Sequence, residues 1–303
     1  MRKFKIRDVP NNKRRIFSVF GLTGVCALLL LSTLMPAEGQ QRPEDFGSPP
    51  GGFGSQRGFG RRGFGQRRER RPTPPGMSET GGEFTFVRAI YSSPYSPYNT
   101  WRGGSWTVDF PEADDHFITG VRDWTGTSLN ISSRPEQLPL LDDRLFDFPF
   151  LYMVEPGFLD LSAEEAARLR EYLLRGGFLF LDDFHGESEW RNVQEQLSKV
   201  LPEYQIVDLP LTHPIFHSYL DIDEVVQVPG LHTWVRGVTH EKGGTTPHYM
   251  GVVDKHDRVV VFITRNCDFG DAWEWIDDPM YPGKYGLAAY KVAINAVIYS
   301  MTH

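Results

Sequence analysis

The chain has 303 residues, with 32 Lys and Arg against 39 Asp and Glu and a net charge of −7 at neutral pH. The charge is unevenly spread: residues 1–39 carry about +5, 40–80 about +4 and 81–303 about −16. That acidity excludes a nucleic-acid partner for a folded domain in the last part, and two cysteines, one of them Cys26 in an apolar leader, exclude an internal disulfide framework.

Arg2, Lys3, Lys5, Arg7, Lys13, Arg14 and Arg15 precede a mostly apolar run from Ile16 to Leu34, the pattern of an export signal. Ala37-Glu38-Gly39 offers small residues for cleavage, yet the run is also long enough to stay as a membrane anchor. Residues 1–39 are therefore expected to export the protein, leaving it periplasmic or anchored facing outside the cytoplasm. Residues 40–80 are rich in Gly, Arg, Phe and Pro, with Gly-Phe-Gly around Phe53, Phe59 and Phe64. Too few aliphatic side chains are present to offset ordering entropy, so this segment reads as a disordered linker near the membrane or wall surface.

Residues 81–303 are long enough for one domain with a substantial core. Phe84–Tyr91 is β-prone, Glu112–Trp124 is helical, Ser128–Ile131 is a short strand and Phe148–Val154 a nearly continuous apolar strand. Ser162 with Glu165 forms a capping box that opens a helix through Ala166, Leu169, Tyr172 and Leu173, and Gly176 supplies its left-handed stop. Phe178–Leu181 is too apolar to alternate, which suits a parallel strand covered on both faces. Another helix is expected over Ser188–Leu201. Tyr249–Asp254 and Arg258–Thr264 around Lys255-His256-Asp257 predict a hairpin, and Tyr285–Met301 a final helix. Strands alternating with helices predict an α/β fold with a mostly parallel sheet.

The motifs Phe86–Pro94, Trp106–Asp114, Leu145–Tyr152, Leu169–Asp183 and His213–Phe216 occur in the order that resembles the bacterial domain-of-unknown-function family 4159. The resemblance covers most of Phe84–His303. It implies a three-layer α/β/α sandwich similar to class I glutamine amidotransferase-like, flavodoxin-like domains, and it implies no settled reaction. It also implies an envelope location, in keeping with the leader.

Amidotransferases need a thiolate on the turn after the central strand, activated by a later histidine. Here that turn reads Asp182-Asp183-Phe184-His185-Gly186, Cys267 follows a different apolar run, and glutaminase activity is not expected. Ligands in open α/β sheets bind at the carboxyl ends of strands, where Asp182, Asp183 and His185 fall. These three are the candidate ligands for a divalent metal and the candidate acid–base groups, with Asp268 and Asp271 following a second strand. The structural alternative has one aspartate capping the next helix and the other pairing with Arg191 or Arg265. Trp101 and Trp273 are candidate platforms for a sugar, with packing of a loop as the alternative. His213 and His217 are four apart, but Pro214 argues against a helical metal pair. The expected role is ligand binding or assembly at the cell envelope, with a cell-envelope protein or polysaccharide as partner. A metal-dependent or acid–base hydrolase of a carbohydrate or amide is the alternative.

Overall fold

The computed structural model of the protein describes residues 77–78, 82–98, 103–126 and 128–303. The leader and nearly all of the linker lie outside the described residues. No helix among the described residues is long and apolar enough to cross a membrane.

Among the described residues nine strands and six α-helices follow one another: β1 (Met77–Ser78), β2 (Val87–Ile90), α1 (Glu112–Thr125), β3 (Ile131–Ser132), β4 (Glu136–Pro139), β5 (Phe150–Val154), α2 (Ala163–Leu174), β6 (Phe178–Asp182), α3 (Gly186–Val200), β7 (Ile206–Asp208), α4 (Leu231–Trp234), β8 (His248–Val253), β9 (Val259–Arg265), α5 (Phe269–Glu274) and α6 (Gly283–Thr302). Seven of the strands form one sheet in the order β4-β2-β5-β6-β9-β8-β7. The first five are parallel, and β8 and β7 continue the sheet in antiparallel fashion. The expected hairpin is thus β8–β9, with its second strand paired directly to β6. Met77–Ser78, inside the segment read as linker, pairs in parallel with β3 outside the main sheet. Two edge strands, β4 and β7, have no apolar run and were not expected from the sequence.

The central strands are apolar on both faces because each face has its own cover. Phe150, Tyr152, Phe178 and Phe180 point into a largely aromatic core shared with Phe117, Trp273 and α6. Their neighbours Leu151, Met153, Leu179 and Leu181 point the other way, against Leu169 and Leu173 of α2 and Val193 and Leu197 of α3. Period-two alternation therefore sorts rings from aliphatic chains across one sheet and gives the three layers. The capping box on α2 forms as expected, Ser162 Oγ accepting from Glu165 N and Glu165 Oε2 accepting from Ser162 N, and Gly176 takes φ 114°.

One polar group interrupts the core on β2. Arg88 is fully buried; its Nε lies 3.0 Å from Asp114 Oδ1 on α1, and Nη1 donates to the carbonyls of Trp106 at 3.1 Å and Val108 at 2.9 Å. A guanidinium can satisfy a carboxylate and two carbonyls at once because its donors are splayed in a plane. It therefore fixes the segment that leads into Asp109. Removing one partner leaves the other charge buried and uncompensated, so Asp114→Ala is expected to lower unfolding free energy by about 3–5 kcal/mol in urea titration, and Asp114→Leu with Arg88→Met to recover part of it.

Candidate functional site at the carboxyl edge of the sheet

Three neighbouring parallel strands, β5, β6 and β9, are each followed directly by a non-glycine residue with left-handed backbone: Glu155 at φ 50°, Asp183 at φ 58° and Asn266 at φ 62°. The turns are stitched together, Glu155 N donating to Asp182 O and Asn266 N to Phe184 O, both at 3.0 Å. Such conformations cost about 1–3 kcal/mol each and persist where surrounding structure enforces them. A fourth, Asp109 at φ 61°, arrives from the loop held by Arg88.

Asp182 is spent on architecture. Its Oδ2 accepts from Tyr152 Oη, Phe269 N and Gly270 N, each at 3.0 Å, and its Oδ1 from Thr264 Oγ1 at 2.6 Å. Burial raises its carboxyl to about 6 against the opposing pull of these donors. Neither Asp182 nor Asp183 pairs with arginine: Arg265 binds Glu187 and lies over the Trp190 ring, and Arg191 reaches the Glu187 carbonyl. Nor does either cap α3. Its N-cap is His185, whose own N–H goes to Glu189 Oε2, and Gly186 N is taken by Asn266 Oδ1 at 2.9 Å.

Asp183 turns away from Asp182 into an acidic cluster. One carboxylate oxygen each from Asp109, Asp183 and Asp268 lie within 4.8 Å of one another, and Asp109, Asp271 and Glu274 make a second such set. Asp268 caps α5, Oδ1 accepting from Asp271 N at 2.8 Å, while Asp271 holds the amide of Leu231 and the indole of Trp275. His185 Nε2 is 3.1 Å from Asp183 Oδ1, and its Nδ1 is buried without a hydrogen bond. The His185 imidazole is pushed toward its neutral form by burial. Glu155 and Glu189 share Lys242, whose Nζ lies 3.9 Å from the first and 2.6 Å from the second.

The family model described as Domain of unknown function (DUF4159) matches residues 86–301. The chain belongs to that family. No curated protein matches it. The DUF4159 domain here carries no thiol on the turn after β6. Cys267 is buried beside the Val226 carbonyl, and its thiol is pushed up by burial.

The expected sugar platform Trp273 is corrected by the structure. Its side chain is fully buried, 4.5 Å from the Phe117 ring and 5.4 Å from that of Tyr152, because α5 presents it to the aromatic side of the sheet. Trp101 lies outside the described residues. His213 opens a 3-10 turn, Pro214–His217, and His217 pairs with Asp221, so those two histidines form no shared site. The sequence reading missed Asp109, Glu155, Glu189 and Lys242. Glu155 stood at the end of an assigned strand, and applying the strand-end rule to β5 as to β6 would have found it.

Burial comes first and neighbouring carboxylates next in raising Asp109, Asp183 and Asp268 well above the ordinary aspartate range. A raised native pKa means the folded state binds more protons than the unfolded chain, so stability falls as pH rises above the unfolded value of 3.8 and through the native values. In cation-depleted buffer, the unfolding free energy should decline from about pH 4 through pH 6 and beyond, and Asp183→Asn with Asp268→Asn should flatten that decline in urea titrations across pH.

Proposed function

We propose that the protein is an exported or membrane-tethered component of the cell envelope whose DUF4159 domain binds a hydroxyl-rich ligand, a polysaccharide segment, at the carboxyl edge of its sheet. The observation that carries this reading is a cavity of about 440 Å³ beside the Asp183–His185 turn, lined in part by Tyr95, Phe158, His185, Ser188, Asn192 and Lys242. Tyr95 is 86 % exposed, so a ring face is on offer to a sugar, while Ser188 adds a hydroxyl and Lys242, lying over the half-buried Phe158 ring, an ammonium; the Asn192 amide is taken by the carbonyls of Gly157 and Leu159. Lys242 is neutralised by Glu189, which favours a neutral glycan over an anion. The basic linker and apolar leader supply the route outward and the contact with the membrane surface.

Hydrolysis of a carbohydrate or amide is the second reading, favoured by one arrangement. A neutral imidazole oriented by a carboxylate on a strand–turn–helix junction is the geometry of an acid–base pair, and here it consists of Asp183 and His185, with Asp182 withdrawn into the fold. Glutamine hydrolysis stays outside both readings, since the turn offers a carboxylate in place of a thiolate.

Calorimetric titration of the full-length protein with neutral oligosaccharides and wall-derived glycan fragments tests the binding reading. Tyr95→Ala and Ser188→Ala should each weaken affinity about tenfold, roughly 1.4 kcal/mol, whereas Val207→Ala on the far edge strand should not. Absence of saturable binding to every glycan would remove the reading. Protease accessibility of the domain in intact cells checks its location.

A further inference from the structure

We infer that Asp109, Asp183 and Asp268 form a binding centre for one hard divalent cation, Ca²⁺, Mg²⁺ or Mn²⁺, at the carboxyl edge of the sheet. The inference goes beyond the glycan reading and stands on separate geometry. Three elements that are remote in sequence deliver the oxygens: the loop before α1, the turn after β6 and the first residue before α5. All three residues are about 5 % exposed. Their oxygens lie within 4.8 Å of one another, matching the roughly 4–5 Å span between opposite ligands around such an ion.

The second observation concerns Asp109 alone. Its Oδ2 is buried and has no hydrogen-bond partner, at a cost of about 1–3 kcal/mol or more for a charged group. Among the described residues, no Lys or Arg forms an ion pair with Asp109, Asp183 or Asp268; Arg88 is committed to Asp114 and Lys242 to Glu189 and Glu155. Asp183 and Asp268 each have one oxygen occupied, by His185 and by the amide of Asp271, which leaves a second oxygen on each.

Glycines shape the space around these oxygens. A Cβ on Gly270 would stand 2.1 Å from Asp109 Oδ2, and one on Gly230 would stand 2.6 Å from Asp268 Oδ2 and 2.9 Å from Asp271 Oδ2. The donor set is oxygen alone, with Cys267 turned to a carbonyl and His185 reaching the cluster only through Asp183, so hard ions fit better than zinc or copper. The centre differs from the one expected on Asp182, Asp183 and His185: only Asp183 is common to both, because both oxygens of Asp182 accept hydrogen bonds within the fold and the His185 imidazole meets the cluster only through Nε2 on Asp183.

Full-length protein stripped with chelator and titrated with MnCl₂, with free Mn²⁺ followed by electron paramagnetic resonance and CaCl₂ and MgCl₂ as competitors, tests the assignment. The expected result is about one saturable ion per chain, weakened tenfold or more by Asp109→Asn and by Asp268→Asn and unchanged by Asp221→Asn at an exposed acid. In chelator the two isosteric variants should melt at or above the wild type, because each relieves repulsion; melting below it would show that the carboxylates serve folding instead and would overturn the assignment. So would the absence of saturable binding, or binding that survives both substitutions. Tyr95→Ala separates this centre from the glycan site: it should weaken glycan binding and leave the Mn²⁺ titration as in the wild type.

Discussion

The carboxylate of Asp182 is the contact on which the rest of the edge depends. It sits where β6 ends and receives a phenol from β5, a hydroxyl from β9 and two amides from the first turn of α5. Hydrogen bonds to a charged acceptor contribute about 1.5–3 kcal/mol each, so four of them in a dry setting can hold an ion that would otherwise take a proton. Because α5 is short, only six residues, its place is set less by its own helix energy than by this clamp. Asp268 and Asp271 ride on α5, and their positions follow from a residue that takes no part in the cluster they form.

A second constraint works from the opposite side. Arg88 on β2 binds Asp114 on α1 and the two carbonyls just before Asp109, so the chain has little freedom where it enters its left-handed turn. Asp183 is constrained in turn by the amide-to-carbonyl bonds joining the ends of β5, β6 and β9. The strain at Asp109, Glu155, Asp183 and Asn266 is thus spread over a rigid frame, and the four residues are brought to one edge by topology more than by mutual attraction. The carboxylates of Asp109, Glu155 and Asp183 repel, which is why the energy to hold them together has to come from elsewhere in the fold.

Legibility in the sequence follows the same division. α2, β6 and α6 were readable because each satisfies a local rule: a capping box, an unbroken apolar run, an apolar helical period. β4 and β7 satisfy none, since an edge strand needs only one paired side and can carry Glu136, Gln137 or Asp208 without penalty. At the site, the strand-end rule placed Asp183 and Asp268 but could not separate Asp182 from its neighbour, because both end one strand and only the direction of the side chain distinguishes clamp from cluster. Asp109 was beyond any local rule. It comes to Asp183 through Arg88, a contact 26 residues from its partner Asp114 and invisible to periodicity. Trp273 misled for a related reason: its position after Asp271 suggested a rim, whereas the helical turn between them sends the ring inward.

These constraints bear on what a carboxylate gains on the turn after β6. A thiolate on that turn works alone once a histidine activates it, and little else nearby need be charged. An aspartate is a weaker nucleophile and, when buried, a costly anion, so it becomes useful in company. Here the company is Asp109 and Asp268 on one side and a neutral His185 on the other. A cation shared by the three aspartates would cancel the repulsion that burial amplifies and would keep Asp183 ionised, which in turn holds the proton of His185 on Nε2 and leaves Nδ1 as an acceptor. The cluster, the histidine and the cavity beside it then form one connected polar chain.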